Sequence, residues 1–89
     1  MARYEMGADE MVLMSAGGAD AQAFFELGCM YASGRSVEPN LITAHKWFNV
    51  AASRGYAPAA ARRSELAAEM TTADVSAAQR EARLWLTRH

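Results

Sequence analysis

The side chains from which a reactive site could be built are few: His45 and His89, the lone Cys29 beside Met30, the carboxylates Glu65 and Glu69, and the arginines Arg62, Arg63, Arg80, Arg83 and Arg88. An acid–base histidine needs a partner that orients or charges it, and His45 has no carboxylate three or four positions away on either side. It is therefore expected as a surface or groove-edge residue. A single cysteine excludes an intramolecular disulfide, and no second thiol completes a metal or redox set. Cys29 falls on the helix face away from Leu27, so it is expected to be exposed and open to intermolecular oxidation. Glu65 and Glu69 lie one helical turn apart, with nothing beside them to drive their pKa values apart as acid–base work requires. The arginines are the best case for nucleic acid, yet they have no glycine-rich phosphate loop or interleaved aromatics, and the net charge is −1. The residues predict no catalytic, cofactor or metal site. Nucleic-acid binding through the basic C-terminal helix is kept as an alternative function.

The elements that would position these side chains are all helical. Ala23, Leu27, Gly28 and Tyr31 recur at spacings of three and four, which places them on one stripe of a helix over 21–33. Glycine inside a helix costs about 1 kcal/mol relative to alanine, so Gly28 implies a close helix neighbour, expected at Ala44, Ala51 and Ala52. Asp20 can cap this helix and Gly34 suits a left-handed end. Asn40, after Pro39, can cap the next helix, which carries Leu41, Ala44, Trp47, Phe48, Ala51 and Ala52 before Gly55. The predicted core is Leu27, Gly28, Tyr31, Ala44, Trp47, Phe48, Ala51 and Ala52, joined by Trp85.

A shift of 36 residues aligns Ala8, Met11, Val12, Ser15 and Ala16 with Ala44, Trp47, Phe48, Ala51 and Ala52, and Ala21 and Ala23 with Ala57 and Ala59. The segment 8–16 then reads as the second helix of an earlier, truncated repeat. A further first helix is expected near 58–69, with Arg63 and Ser64 in place of Leu27 and Gly28, and with Leu66, Ala67 and Met70 as its buried stripe. Thr71-Thr72-Ala73-Asp74 fits a capping box ahead of a final helix over 72–86. Val75, Ala78, Ala82, Trp85 and Leu86 form its apolar side, and Arg80, Glu81, Arg83 and Thr87 form a polar outer face.

The run carried by Ala23, Leu27, Gly28, Tyr31, Gly34, Val37, Ala44, Trp47, Phe48, Ala51, Ala52 and Gly55 resembles the Sel-one-like repeat, a relative of the tetratricopeptide repeat. Ser36 and Asn40 depart from it, standing where that family has glycine and aspartate. The resemblance implies an all-α, short α/α solenoid of about five helices in one domain, 1–89: a leading helix at 8–16, a well-matched repeat at 21–55 and a degenerate closing hairpin at 57–87. It also implies a bacterial-type adaptor or scaffold whose first helices line a groove for a protein or peptide, presenting Gln22, Phe25, Glu26, Cys29, Arg62 and Glu65. Phe25 points roughly 160° from Leu27 and either packs on Met11 or Met14 or anchors a partner.

Composition agrees with a stack of thin helices. The chain is 52% hydrophobic, but much of that is alanine, so several helices must share one core. No apolar run reaches the roughly 20 residues of a membrane span, and Glu5, Asp9 and Glu10 interrupt what would be the apolar core of a signal peptide. These features predict a cytoplasmic protein. Residues 1–40 carry a balance of −4 and residues 41–89 a balance of +3, a bipolar distribution that suits head-to-tail self-association. The expected activity is non-catalytic binding of a protein or peptide, with homo-oligomerisation as a further alternative.

Overall fold

Helix ends expose backbone groups that need partners, and the residues flanking each helix of this chain supply them. The computed structural model describes residues 20–88, which form α1 (Ala21–Ser33), α2 (Leu41–Ser53), α3 (Ala57–Ala67) and α4 (Thr72–Arg88), with no strand among the described residues. The expected helix at 8–16 lies outside them. Asp20 accepts a 2.8 Å hydrogen bond from the Ala23 amide, and Asn40 accepts one of 3.1 Å from Thr43. Thr71 caps α4 by accepting from the Asp74 amide at 3.1 Å, as its capping sequence predicts.

The two loops around α2 turn through left-handed backbone. Gly34 ends α1 at φ 78°, and the amides of Gly34 and Arg35 both return to the Met30 carbonyl. A Cβ at Gly34 would stand 2.7 Å from Pro39 Cγ, so this turn excludes a side chain twice over. Ser36 follows at φ 69°. The departure from glycine at this position therefore leaves the left-handed turn intact, and the Asn40 amide closes the loop onto the Tyr31 carbonyl at 3.0 Å. At the far end of α2, Gly55 takes φ 98° while the Gly55 and Tyr56 amides return to Ala52 and Ala51, the hydrogen-bond pair of a Schellman ending.

Helix α2 is the shared neighbour on which α1, α3 and α4 each pack. The sequence pairs α4 with α3 as a closing hairpin, whereas the packing seats α4 on α2 through the buried Ala78 and Ala82. One core cluster gathers Phe24, Leu27, Met30, Trp47, Val50, Ala51, Ala59 and Ala82. A second holds Ala44, Phe48 and Leu66. The Phe24 and Trp47 rings stack at 5.7 Å, and Trp85 meets both edge-on at 5.0 and 5.4 Å, so residues of α1, α2 and α4 form one aromatic cluster. Each such pair contributes about 0.5–1.5 kcal/mol beyond area burial.

Three expectations about this core are corrected. Tyr31, Ala52 and Trp85 sit at its margin, half-buried, while Met30 and Val50, which the stripe reading did not select, are inside. The close neighbour of Gly28 is an aromatic ring, not a row of alanines: a Cβ there would stand 2.5 Å from two carbons of Phe48. Along α4 the outer face is polar at Arg80, Glu81, Arg83 and Thr87, but Leu84 interrupts it.

Two substitutions measure this packing. Trp47→Ala should cost about 3–5 kcal/mol, the range for a buried aromatic truncated to alanine, read as a fall in the urea midpoint. Gly28→Ala gains about 1 kcal/mol of helix propensity but drives a methyl into the buried Phe48 ring, an overpacking cost of about 1–3 kcal/mol. A net loss of stability is expected, and a more stable alanine variant would contradict the close approach.

Candidate partner-binding face

The six residues expected to line a groove divide between α1 and α3, and several of them converge on Phe48 of α2. Phe25 is half-buried, its ring centroid 5.5 Å from Phe48 and 5.0 Å from Tyr56. Met11 and Met14 lie outside the described residues, so Phe25 has its described ring partners on α2 and at the start of α3. The Arg62 guanidinium lies 5.7 Å from the Phe48 ring centroid, and its Nε is 4.0 Å from Glu65 Oε1. Both side chains of that pair are largely exposed, which limits its worth to about 0–1 kcal/mol. Gln22 and Glu26 are exposed on α1.

Cys29 departs from expectation. It is half-buried and packs against the cluster of Ala44, Phe48 and Leu66. Burial pushes its thiol pKa up, the nearby Arg62 and Arg35 partly offset this, and Glu26 adds to it. The thiol is held in its protonated form, which is the poor nucleophile. The misplacement has a geometric cause: Ala44 and Phe48 of α2 and Leu66 of α3 meet α1 at Cys29, so the side of α1 away from Leu27 is not a free face.

His45 is the larger correction. It is 2% exposed, and its Nδ1 is buried without a hydrogen-bond partner. Burial lowers its pKa below the ordinary 6.5, and the Arg63 guanidinium lowers it further. The imidazole is therefore held neutral. Its burial was legible in one respect, since α2 carries only Lys46 and His45 as basic or acidic side chains and so has little polar surface to turn toward water.

Several interactions were not anticipated. Arg63, read as a degenerate core position, donates from Nη1 to Asn49 Oδ1 at 3.0 Å and ties α3 to α2. Arg54 places its guanidinium 5.6 Å from both the Phe24 and Trp85 rings. Arg54 stands seven residues after Trp47, hence on the same stripe two turns on, and that spacing is the signal that could have placed it. Lys46 Nζ lies 4.3 Å from the Trp47 ring centroid.

Among the described residues no group of three or more His, Cys, Asp or Glu side chains is placed to hold a metal ion, and no helix is long and apolar enough to cross a membrane. Compared with protein-family models, curated proteins and solved structures, the chain matches none.

The buried imidazole makes stability depend on pH. A lowered folded-state pKa means that the unfolded chain takes up a proton the folded chain refuses. The His45 contribution should therefore be constant above about pH 6.5, the ordinary histidine value, and stability should fall as pH drops through the window below it. Urea titrations at pH 7.5 and 5.5 should differ for the parent, and the difference should shrink in His45→Gln. Equal sensitivity in the two would show that His45 is not the titrating group.

Proposed function

We propose that this chain is a small non-catalytic interaction module of the Sel-one-like or tetratricopeptide-like kind. Its helices would form a short α/α solenoid acting as a cytoplasmic adaptor, and it would bind a protein or peptide on the face shared by α1 and α3. The observation that carries this reading is the Phe25 ring. It is only half covered, yet it is held by Phe48 and Tyr56 against the neighbouring helices, while Arg62 approaches the same Phe48. A ring fixed by its neighbours and open on one side loses little conformational freedom on binding, which is what a hot-spot residue requires. Exposed Gln22, Glu26 and Glu65 would then form a polar rim and set register.

The helix pattern supports the repeat reading through its punctuation. Left-handed turns at Gly34, Ser36 and Gly55 and the side-chain cap at Asn40 fall where the resembled repeat turns. A first helix (α1) and the next first helix (α3) both lie against the intervening α2, as stacking of repeats demands.

The test is affinity capture on the purified chain, in parallel with a Phe25→Glu, Glu26→Arg double variant assayed below its own melting temperature, since Phe25 packs on Phe48 and Tyr56. The expected result is one protein retained by the parent, lost with the variant, and rebinding the parent in purified form. Retention by both forms would count against this face. A molar mass by light scattering that rises with concentration in the parent and not in the variant would instead assign the face to self-association.

A further inference from the structure

A cleft between α2 and α4 is a feature that the α1 and α3 face does not explain. Lys46 of α2 and Glu81, Leu84, Trp85 and Arg88 of α4 line an open cleft of about 210 Å³. Ligand pockets for small molecules run from about 300 to 1,000 Å³, so this one has room for a single large side chain and not for a cofactor. Its floor is apolar. Leu84 is 55% exposed, and Trp85 is half-buried beside it.

The lining carries two cations, Lys46 and Arg88, against the one carboxylate of Glu81. Lys46 lies over the Trp47 ring at 4.3 Å, and Arg54 sits 5.6 Å from Trp85. An aromatic face attracts a cation without cancelling its charge. Among the described residues neither of these cations, nor Arg88, has a carboxylate within ion-pair distance, although Glu81 lines the same cleft. Arg88 occupies the last turn of α4, where it also offsets the negative end of the helix dipole. Lys46 is thus the lining cation most available to a ligand, and Arg54 lies against Trp85 outside the lining.

Apolar floor and cationic rim together select the ligand. A nucleic acid would use an exposed ring face for base stacking and a continuous cationic track for its phosphates. Here Phe24 and Trp47 are buried, Trp85 is engaged edge-on by both, and Glu81 interrupts the cations. A peptide that sets one large apolar side chain between carboxylates meets both features. We propose that this cleft is a second recognition site, for an acidic peptide segment that seats such a side chain against Leu84 and Trp85 and directs its carboxylates to Lys46 and Arg88. It is separate from the face proposed above and does not depend on it.

The experiment titrates the whole chain into a fluorescently labelled Asp-Asp-Ile-Phe-Asp-Asp peptide, with Lys-Lys-Ile-Phe-Lys-Lys and a labelled oligothymidylate as comparison probes, at low and physiological salt. The acidic peptide is expected to bind, and the basic one to bind at least about tenfold more weakly. Leu84→Ala changes an exposed side chain and should melt with the parent, whereas Lys46→Glu also removes the contact with the Trp47 ring and is assayed below its own melting temperature. Each should weaken the acidic peptide about tenfold, whereas Phe25→Glu should leave it unchanged. Loss with Phe25→Glu but not with Lys46→Glu would move the peptide to the α1 and α3 face and overturn this site. No binding of the acidic peptide, equal binding of the two peptides, or preference for the oligothymidylate would overturn it as well.

Discussion

Helices rich in alanine present little apolar area, and in this chain the contact that compensates is the cluster of Phe24, Trp47 and Trp85. Its members come from three helices, α1, α2 and α4, that are far apart in the sequence, and its two edge-on contacts and one stacked contact orient those helices as well as holding them. The small residues around it, Ala51, Ala59, Ala78 and Ala82, are all buried. They act by allowing close approach of backbones, so that the large rings can meet. A cluster built this way tolerates neither loss of a ring nor addition of a methyl, because close-packed neighbours have no slack to absorb the change.

Helix α3 is fastened by different means. It contributes Ala59 to one core cluster and Leu66 to the other, and it reaches α2 through the hydrogen bond from Arg63 to Asn49. With α1, α3 and α4 all on α2, the central helix is covered on several sides, and this explains the burial of His45. An enclosed imidazole without a partner for Nδ1 is costly to charge, so the packing around α2 also disfavours protonation of His45. The two surfaces proposed for binding lie at the margins of this arrangement. On each, a partly covered ring is held from behind by core rings: Phe25 by Phe48, and Trp85 by Phe24 and Trp47.

Much of the local architecture was legible in the residues. Asp20, Gly34, Asn40, Gly55 and Thr71 mark helix boundaries through their own backbone and side-chain chemistry, which acts over three or four residues and needs no tertiary partner. Spacing of three and four likewise brought Leu27, Ala44, Trp47, Phe48 and Ala51 inside. Where the reading failed, the missing information was which helix stands beside which. Cys29 and His45 were assigned to open faces because their own helices have apolar stripes elsewhere, but α2 is packed by three helices and Cys29 of α1 is met by Ala44, Phe48 and Leu66. Gly28 was matched to alanines because small residues often pair, whereas the space it leaves is filled by a ring.

The sequence by itself determined that the described residues are helical, where those helices start and stop, and most of the side chains that face inward, because caps, left-handed turns and helical periodicity are short-range properties. Only the tertiary structure decided that α4 packs on α2, that Phe48 fills the space at Gly28, that Arg54 and Lys46 lie against the aromatic cluster, and that His45 is sealed in. Those outcomes depend on the relative placement of helices distant along the chain. That placement follows from how ring shapes and small residues interlock across three helices, a constraint that no single stretch of sequence contains.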